Sequence, residues 1–564
     1  MGEQTPESAR EQPRAVRRLL WLLALAALYA CLLRGEWVPG GSDDALYLAA
    51  ARTMVKTGAY LWNALPILHF PPGWTVILSA VLRVSDSFLV LNALASACVI
   101  GAAMLWYCIL RRYCLPRRAV QAAFVTGILF EWHRFAFTLY SEGLFFLLLA
   151  GTVLLALQIN EGRRAVWRIP LLLLLCVALV QLRWAAVLAA PIIAGALVSG
   201  RLKPALDRRW VCAVLACAVL AGTFLLTHQV LRRSAKLMRD EGRTAAEREG
   251  AAAALERDAE RVASSAAASP VQYAARAGRS GHWLSMLFWP PTTMGLRSGT
   301  FGPLTNAAGF VLLLALAVRA LTAARRKHWL WAGCAVYCAA LILQHRRPVA
   351  RLFAPVAPLI LLGVWEGLLA LGGRKAGARR WLARSAVAAF LVAVLACNGA
   401  LLAVNAFALR SPRFATMWLA GEYGEILAVA YHLNDEGVGD GEVAATRLYA
   451  DPYRGRNSPW AWRTLYLLTE KDVRSLPDEL DSATPDERLL AWARSHGVRF
   501  VIARSPEMVR RIWHIRRGSH RQEPPAGGDA GRASFYELYE VREDGFERVP
   551  LEPPRHGPRR MPGL

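Results

Sequence analysis

Two adjacent carboxylates, Asp43 and Asp44, open the first polar interval after an apolar run, and Tyr47 follows them three residues on. The interval continues through Gly58 and Tyr60 to His69 and the pair Pro71-Pro72. A carboxylate can take the proton of a hydroxyl nucleophile when its oxygen lies within about 2.6–3.2 Å of that hydroxyl. The same acids are unremarkable in water and costly at hydrocarbon depth. A solvated acidic loop and a catalytic base are therefore both compatible with the residue types, and the surrounding elements must decide. Other charges stand at the edges of apolar runs. Glu142 begins one in YSEGLF, Arg183 interrupts another, and QHRRPVAR carries His345, Arg346, Arg347 and Arg351. Guanidinium groups suit phosphate and pyrophosphate oxygens, which they grip in a fixed fork. His69 and His345 read either as assistants to such a site or as ordinary interfacial histidines.

The elements that would hold these residues are membrane helices. The chain has 564 residues, 55% of them hydrophobic and 19% charged, too apolar for an ordinary soluble protein of that length. Apolar windows recur, and we count about 11 transmembrane spans. They lie near 18–33, 88–110, 119–138, 143–159, 169–182, 184–199, 210–230, 306–321, 329–343, 352–370 and 385–407. Residues 44–57 read as a short helix, capped by Ser42 or Asp43 and lying along the membrane surface with Leu46, Leu48, Ala49 and Met54 on its apolar side. Residues 73–85 read as a re-entrant or surface helix, because a full span there would reverse every later basic loop.

The net charge of +25 sits mostly in short gaps between apolar runs. That pattern fits positive-inside orientation and contact with anionic lipid head groups, not nucleic acid. It places the N-terminus in the cytoplasm behind an uncleaved signal-anchor, with external loops at 34–87 and 231–302 and an external tail. The QHRRPVAR cluster breaks the charge rule if it is external. Either it serves an anion or a span is miscounted. All ten cysteines lie in or beside apolar segments, with no disulfide framework and no zinc spacing. Phosphate-binding glycine loops and HExxH are absent. Residues 411–548 change to mixed charge with strand-like runs, and 489–503 read as helix, glycine turn and strand, so a small α/β-type region is expected there. The end, 549–564, reads as a disordered tail.

The order of these features resembles the GT-C class of membrane glycosyltransferases, in the branch of the protein O-mannosyltransferases and the lipid A aminoarabinose transferases. The resemblance covers about residues 18–410. It rests on Asp43, Asp44 and Tyr47 followed by Gly58 and Tyr60, on Pro71-Pro72 opening a short helix, on Glu142, and on Arg351 with Pro355 and Pro358. It implies a polytopic GT-C-like fold in a bacterial cytoplasmic membrane. It also implies transfer of a monosaccharide from a polyprenyl-phosphate donor to a lipid, glycan or protein acceptor at the outer face, with inversion. Asp43 would be the base and Asp44 its support. Glu142 would be a second acidic site, and Arg183, Arg346, Arg347 and Arg351 would hold the donor phosphate, with Tyr47, Tyr60, His69 and His345 assisting. A divalent metal at Asp44 or Glu142 is a further option, since members of this class differ. The competing reading is a polytopic transporter or flippase for a lipid or anion, because charged residues at membrane depth also mark transport pathways. No inverted repeat with matched broken helices stands out in its favour.

Overall fold

The computed structural model describes residues 20–21, 23–37, 42–62, 65–66, 70–161, 167–199, 208–240, 287–288, 302–325, 328–344, 350–371, 377–407, 422–439, 441–445, 467–469, 473–475, 487–504 and 536–551. Among them, five helices are long and apolar enough to cross a membrane: Phe88–Leu110, Glu142–Asn160, Arg209–Leu231, Ala350–Ala370 and Ala378–Ala403. Shorter apolar helices include Leu23–Leu32, Gly73–Leu82, Arg168–Leu182, Val311–Ala323 and Trp329–Leu341. The chain is a polytopic α-helical membrane protein with a small mixed sheet near its C-terminus. Gly73–Leu82 has 10 residues, about 15 Å of helix at 1.5 Å per residue, half of what a bilayer core needs. The described residues form two compact units. One comprises Met1–Leu33, Leu65–Trp74 and Asn92–Ala406, and the other Arg34–Ala64, Thr75–Leu91 and Phe407–Leu564.

The first unit is a bundle in which small residues set how closely helices approach. A Cβ on Gly333 would collide with the carbonyl of Pro191, and one on Gly195 would sit 2.6 Å from the carbonyl oxygen of Trp329. The helices Ala190–Val198 and Trp329–Gln344 thus cross backbone against backbone, as apolar helices do when lipid removes the usual hydrophobic drive. Beside this crossing, Arg319 pairs with Glu366 at 2.7 Å, and its guanidinium lies 4.9 Å from the Trp331 ring centroid.

Three of the expected spans are not regular α-helices throughout; the one at 352–370 passes through the 3-10 turn Ala354–Val356 between Ala350–Phe353 and Ala357–Leu371. The span expected at 119–138 stops at Ile128. Leu129 turns out of the helix at φ −53° and ψ 138°, Phe130–His133 makes one short turn, and Arg134–Ala136 is 3-10. The reason is a competing partner: the Phe130 N–H donates to Asn398 Oδ1 at 2.7 Å instead of to its own helix. The span expected at 184–199 likewise begins as the 3-10 helix Trp184–Ala189 and becomes α-helical only at Ala190–Val198.

The second unit contains the helix Ser42–Thr57 and a five-stranded sheet. Strands β1 (Val443–Ala445), β2 (Val473–Ser475), β3 (Phe500–Arg504), β4 (Tyr536–Val541) and β5 (Phe546–Val549) take the order β2-β1-β3-β4-β5. The first three are parallel, with Val443 opposite Val473 and Phe500, and the last two are antiparallel. Helix Glu487–Ser495 packs on this sheet through Leu489 and Ala493, which meet Ala444, Val498 and Val501. The helix, turn and strand read from 489–503 are Glu487–Ser495 and β3.

Helix Ser42–Thr57 departs from the surface helix that its sequence suggests. Every residue from Ala45 to Arg52 is buried. Three consecutive alanines, Ala49 to Ala51, let neighbours close on all sides of it, which a one-sided apolar stripe would not reveal. It also starts at Ser42 rather than at Asp44, so Asp43 lies inside its first turn with Asp44.

Candidate functional site

Chemistry-bearing residues gather at two places, one in each unit. In the second unit, the first turn of Ser42–Thr57 carries both acids, where the unpaired N–H groups and the helix dipole favour negative charge. Their surroundings differ. Asp44 is fully buried, and the indole Nε1 of Trp37 donates to its Oδ2 at 3.3 Å. Trp37 is itself buried and stacks on Phe88 with centroids 6.3 Å apart. Asp43 is half-exposed. Tyr47 follows one turn later and is buried. Gly58 closes the helix at φ +75°, a left-handed turn that suits glycine, and the chain folds back to place Tyr60 beside Tyr47 and Thr75. Burial, reinforced by Tyr47 and only partly offset by the nearby Thr75 hydroxyl, pushes the Tyr60 phenol well above its ordinary range. Tyr60 therefore stays protonated, able to donate.

In the first unit, Glu142 starts helix Glu142–Asn160 and is 1% exposed. Arg183 stands in extended backbone (φ −153°, ψ 135°) between helix Arg168–Leu182 and the following 3-10 turn. That break turns its guanidinium onto Glu142 Oε1, with which it forms an ion pair. Arg351, on the short helix Ala350–Phe353, approaches the same oxygen at 3.9 Å. A third guanidinium, Arg134, lies 3.6 Å from Glu131. Arg134 and Arg351 also stand 5.7 and 5.9 Å from the ring of Tyr140.

The backbone around this cluster is irregular, and in a bilayer its polar groups must be satisfied internally. Neighbouring side chains do so. Ser96 Oγ donates to the Ala136 carbonyl at 2.8 Å, Trp74 Nε1 to Leu139 at 2.9 Å, Trp132 Nε1 to Ala354 at 2.8 Å, and the Tyr337 hydroxyl to Leu352 at 2.8 Å. Non-helical backbone supported in this way at membrane depth is where binding sites are found.

The sequence-derived set is thus divided. Asp43, Asp44, Tyr47 and Tyr60 come together in the second unit, and Glu142, Arg183 and Arg351 in the first. His69, His345, Arg346 and Arg347 lie outside the described residues. Three participants escaped the sequence reading of the site: Trp37, Tyr140 and Arg134. An arginine at the end of an apolar run was the signal available for Arg134. For a divalent metal the fit is poor. Among the described residues no group of three His, Cys, Asp or Glu side chains is disposed to hold one. One Asp44 oxygen receives the Trp37 N–H, and Glu142 Oε1 faces guanidinium groups.

No family model matches the chain, and no curated protein does. Among solved structures, it is similar to ArnT from Cupriavidus metallidurans in the apo state, with 13% identity, 89% of this chain and 95% of that one covered, and a TM-score of 0.46. The same protein bound to undecaprenyl phosphate matches with 12% identity, coverage of 92% and 97%, and a TM-score of 0.43. An oligosaccharyltransferase of Archaeoglobus fulgidus, in complex with Zn and sulfate, matches with 12% identity, coverage of 86% and 68%, and a TM-score of 0.44.

Proposed function

We propose that this chain is a membrane glycosyltransferase of the GT-C type, taking a monosaccharide from a polyprenyl-phosphate donor to an acceptor hydroxyl at the outer face of the cytoplasmic membrane, with inversion. The observation that carries the reading is the unequal pair in one helical turn, Asp44 buried and held by Trp37, Asp43 half-exposed. A base must be reachable by its substrate, and a buried neighbour fixed by a hydrogen bond keeps the turn that displays it in place.

In this mechanism the acceptor oxygen attacks C1 of the sugar, and its proton passes to an Asp43 oxygen. The bond from C1 to the phosphate oxygen breaks, and the polyprenyl phosphate departs with the electron pair. That leaving group carries negative charge and needs no proton, but it gains from preorganised cations. Arg183 and Arg351 are assigned to it, with Arg346 and Arg347. Glu142 keeps Arg183 and Arg351 oriented. Tyr60, held protonated, is a hydrogen-bond donor for a sugar or acceptor oxygen. No step is routed through a metal.

The test is mass spectrometry of lipids co-purifying with the full chain, followed by turnover with the wild type and Asp43→Asn. A polyprenyl-phosphate sugar retained by both and consumed only by the wild type is the expected result. Full activity of Asp43→Asn removes its role as base. Absence of such a lipid, together with solute or lipid movement in vesicles, replaces the transferase with a transporter.

A further inference from the structure

Arg52 is a charged side chain that the proposed mechanism does not use, and it is 3% exposed. Its Nη1 donates to the carbonyl of Leu467 at 2.5 Å, a residue 415 positions away in the same unit. The next carbonyl, that of Leu468, accepts from Asn434 Nδ2 at 3.1 Å. Asn434 belongs to helix Glu422–Asp435, which packs on β4. Consecutive carbonyls are thus gripped by side chains of two helices, one of them the helix that bears the acids.

Burying a guanidinium is expensive, and a packing role alone would be met by a long apolar side chain. A directed bond from such a group to a fixed carbonyl instead pins rotation and register. Arg52 stands nine residues after Asp43. At about 100° per residue the two project from opposite faces of the helix. Arg52 holds the back, Trp37 holds the first turn through Asp44, and Asp43 is left displayed. A slip by one residue would swing Asp43 by about 100°.

We infer that Arg52 is a positioning residue that ties the acid-bearing helix to Leu467–Thr469, so that the C-terminal part of the chain sets the presentation of Asp43. The inference depends on the proposed function only where Asp43 is called a base.

The experiment needs no substrate. In the purified full-length chain in lipid nanodiscs, Asp43→Cys is combined with Arg52→Ala, Arg52→Lys or Asn434→Ala. Iodoacetamide alkylation at position 43 is followed by peptide mass spectrometry across pH, with the same thiol in the denatured chain as the reference. Reactivity of a thiol at a helix N-terminus depends on its placement there. The expected result is a change of about two- to fivefold in rate with Arg52→Ala, the size of a helix-terminus effect. Arg52→Lys should fall between that and the parent, and Asn434→Ala should shift the rate in the same direction by less. An unchanged rate and pH midpoint at position 43 in a folded Arg52→Ala chain overturns the inference. If Arg52→Ala does not fold, unchanged rates in both other variants overturn it equally. A wild type that consumes no polyprenyl-phosphate sugar would defeat the proposed function and leave these rates as they are.

Discussion

Arg183 closes an ion pair on Glu142 Oε1, and it can do so because the backbone at Arg183 is extended between two helices. In a continuous helix the side chain would follow its neighbours along one face. The break also leaves the same carboxylate within 3.9 Å of Arg351, so one buried acid serves two cations drawn from distant parts of the chain.

Replacing Glu142 with Gln should therefore be severe. Removing one partner of a buried pair costs about 3–5 kcal/mol, and the side chains of Arg183 and Glu142 are only 15% and 2% exposed. We expect a loss of about 3 kcal/mol in thermal unfolding of the detergent-solubilised protein, and loss of transfer with it. Arg351→Ala, removing a longer and wetter contact, should cost under about 1 kcal/mol while still slowing turnover. Equal effects of the two variants would contradict this assignment.

The first turn of Ser42–Thr57 separates stability from chemistry. Trp37→Phe removes the hydrogen bond to Asp44 while keeping an aromatic ring against Phe88. At 3.3 Å the bond is long, so about 1–2 kcal/mol is expected. Asp43→Asn should leave the melting temperature close to wild type and abolish turnover. The check is to measure both quantities for both variants. An Asp43→Asn protein that melts early but still turns over would invert the reading.

The crossing at Gly333 leaves no room for a side chain. Gly333→Leu would drive atoms into the carbonyl of Pro191 and should destabilise the bundle by at least about 1–3 kcal/mol. Thermal stability in detergent tests this, with Gly222→Leu as the control, since nothing lies within 4 Å of a Cβ at that position. Equal stability of the two variants would argue against the close crossing.

On the sheet, burial together with the Glu537 carboxylate pushes the Tyr539 phenol up to about 12. The folded form thus holds this proton more tightly than the unfolded chain, where the value is about 10. Its contribution to stability is complete below pH of about 10 and is lost as pH rises toward about 12. Tyr539→Phe should flatten that alkaline loss, read from denaturation midpoints at increasing pH. A profile identical to wild type would refute the role of this phenol.

Much of the fold is legible locally. Long apolar runs announce helices because burial of backbone polar groups in lipid leaves few alternatives, and Phe88–Leu110 and Glu142–Asn160 lie close to where hydropathy puts them. The helix, turn and strand from Glu487 to Arg504 follow from periodicity and Gly497. Legibility failed where a distant side chain outbid the local pattern. Asn398 captures the Phe130 N–H and ends a helix whose apolar run continues past it. Small residues at Ala49 to Ala51 let a helix that reads as amphipathic be buried on every side.

By itself, then, the sequence determined that this is a polytopic helical protein, that two adjacent acids stand at the start of a short helix, and which arginines stand at the ends of apolar runs. These are consequences of hydrophobicity and of local spacing, which act within a few residues. Only the tertiary structure decided that Asp44 is the buried acid and Asp43 the accessible one, that Arg183 and Arg351 meet at Glu142, and that Arg52 reaches Leu467. Those facts depend on which surfaces close on one another. Such contacts form between residues tens to hundreds of positions apart, where no local pattern records the partner.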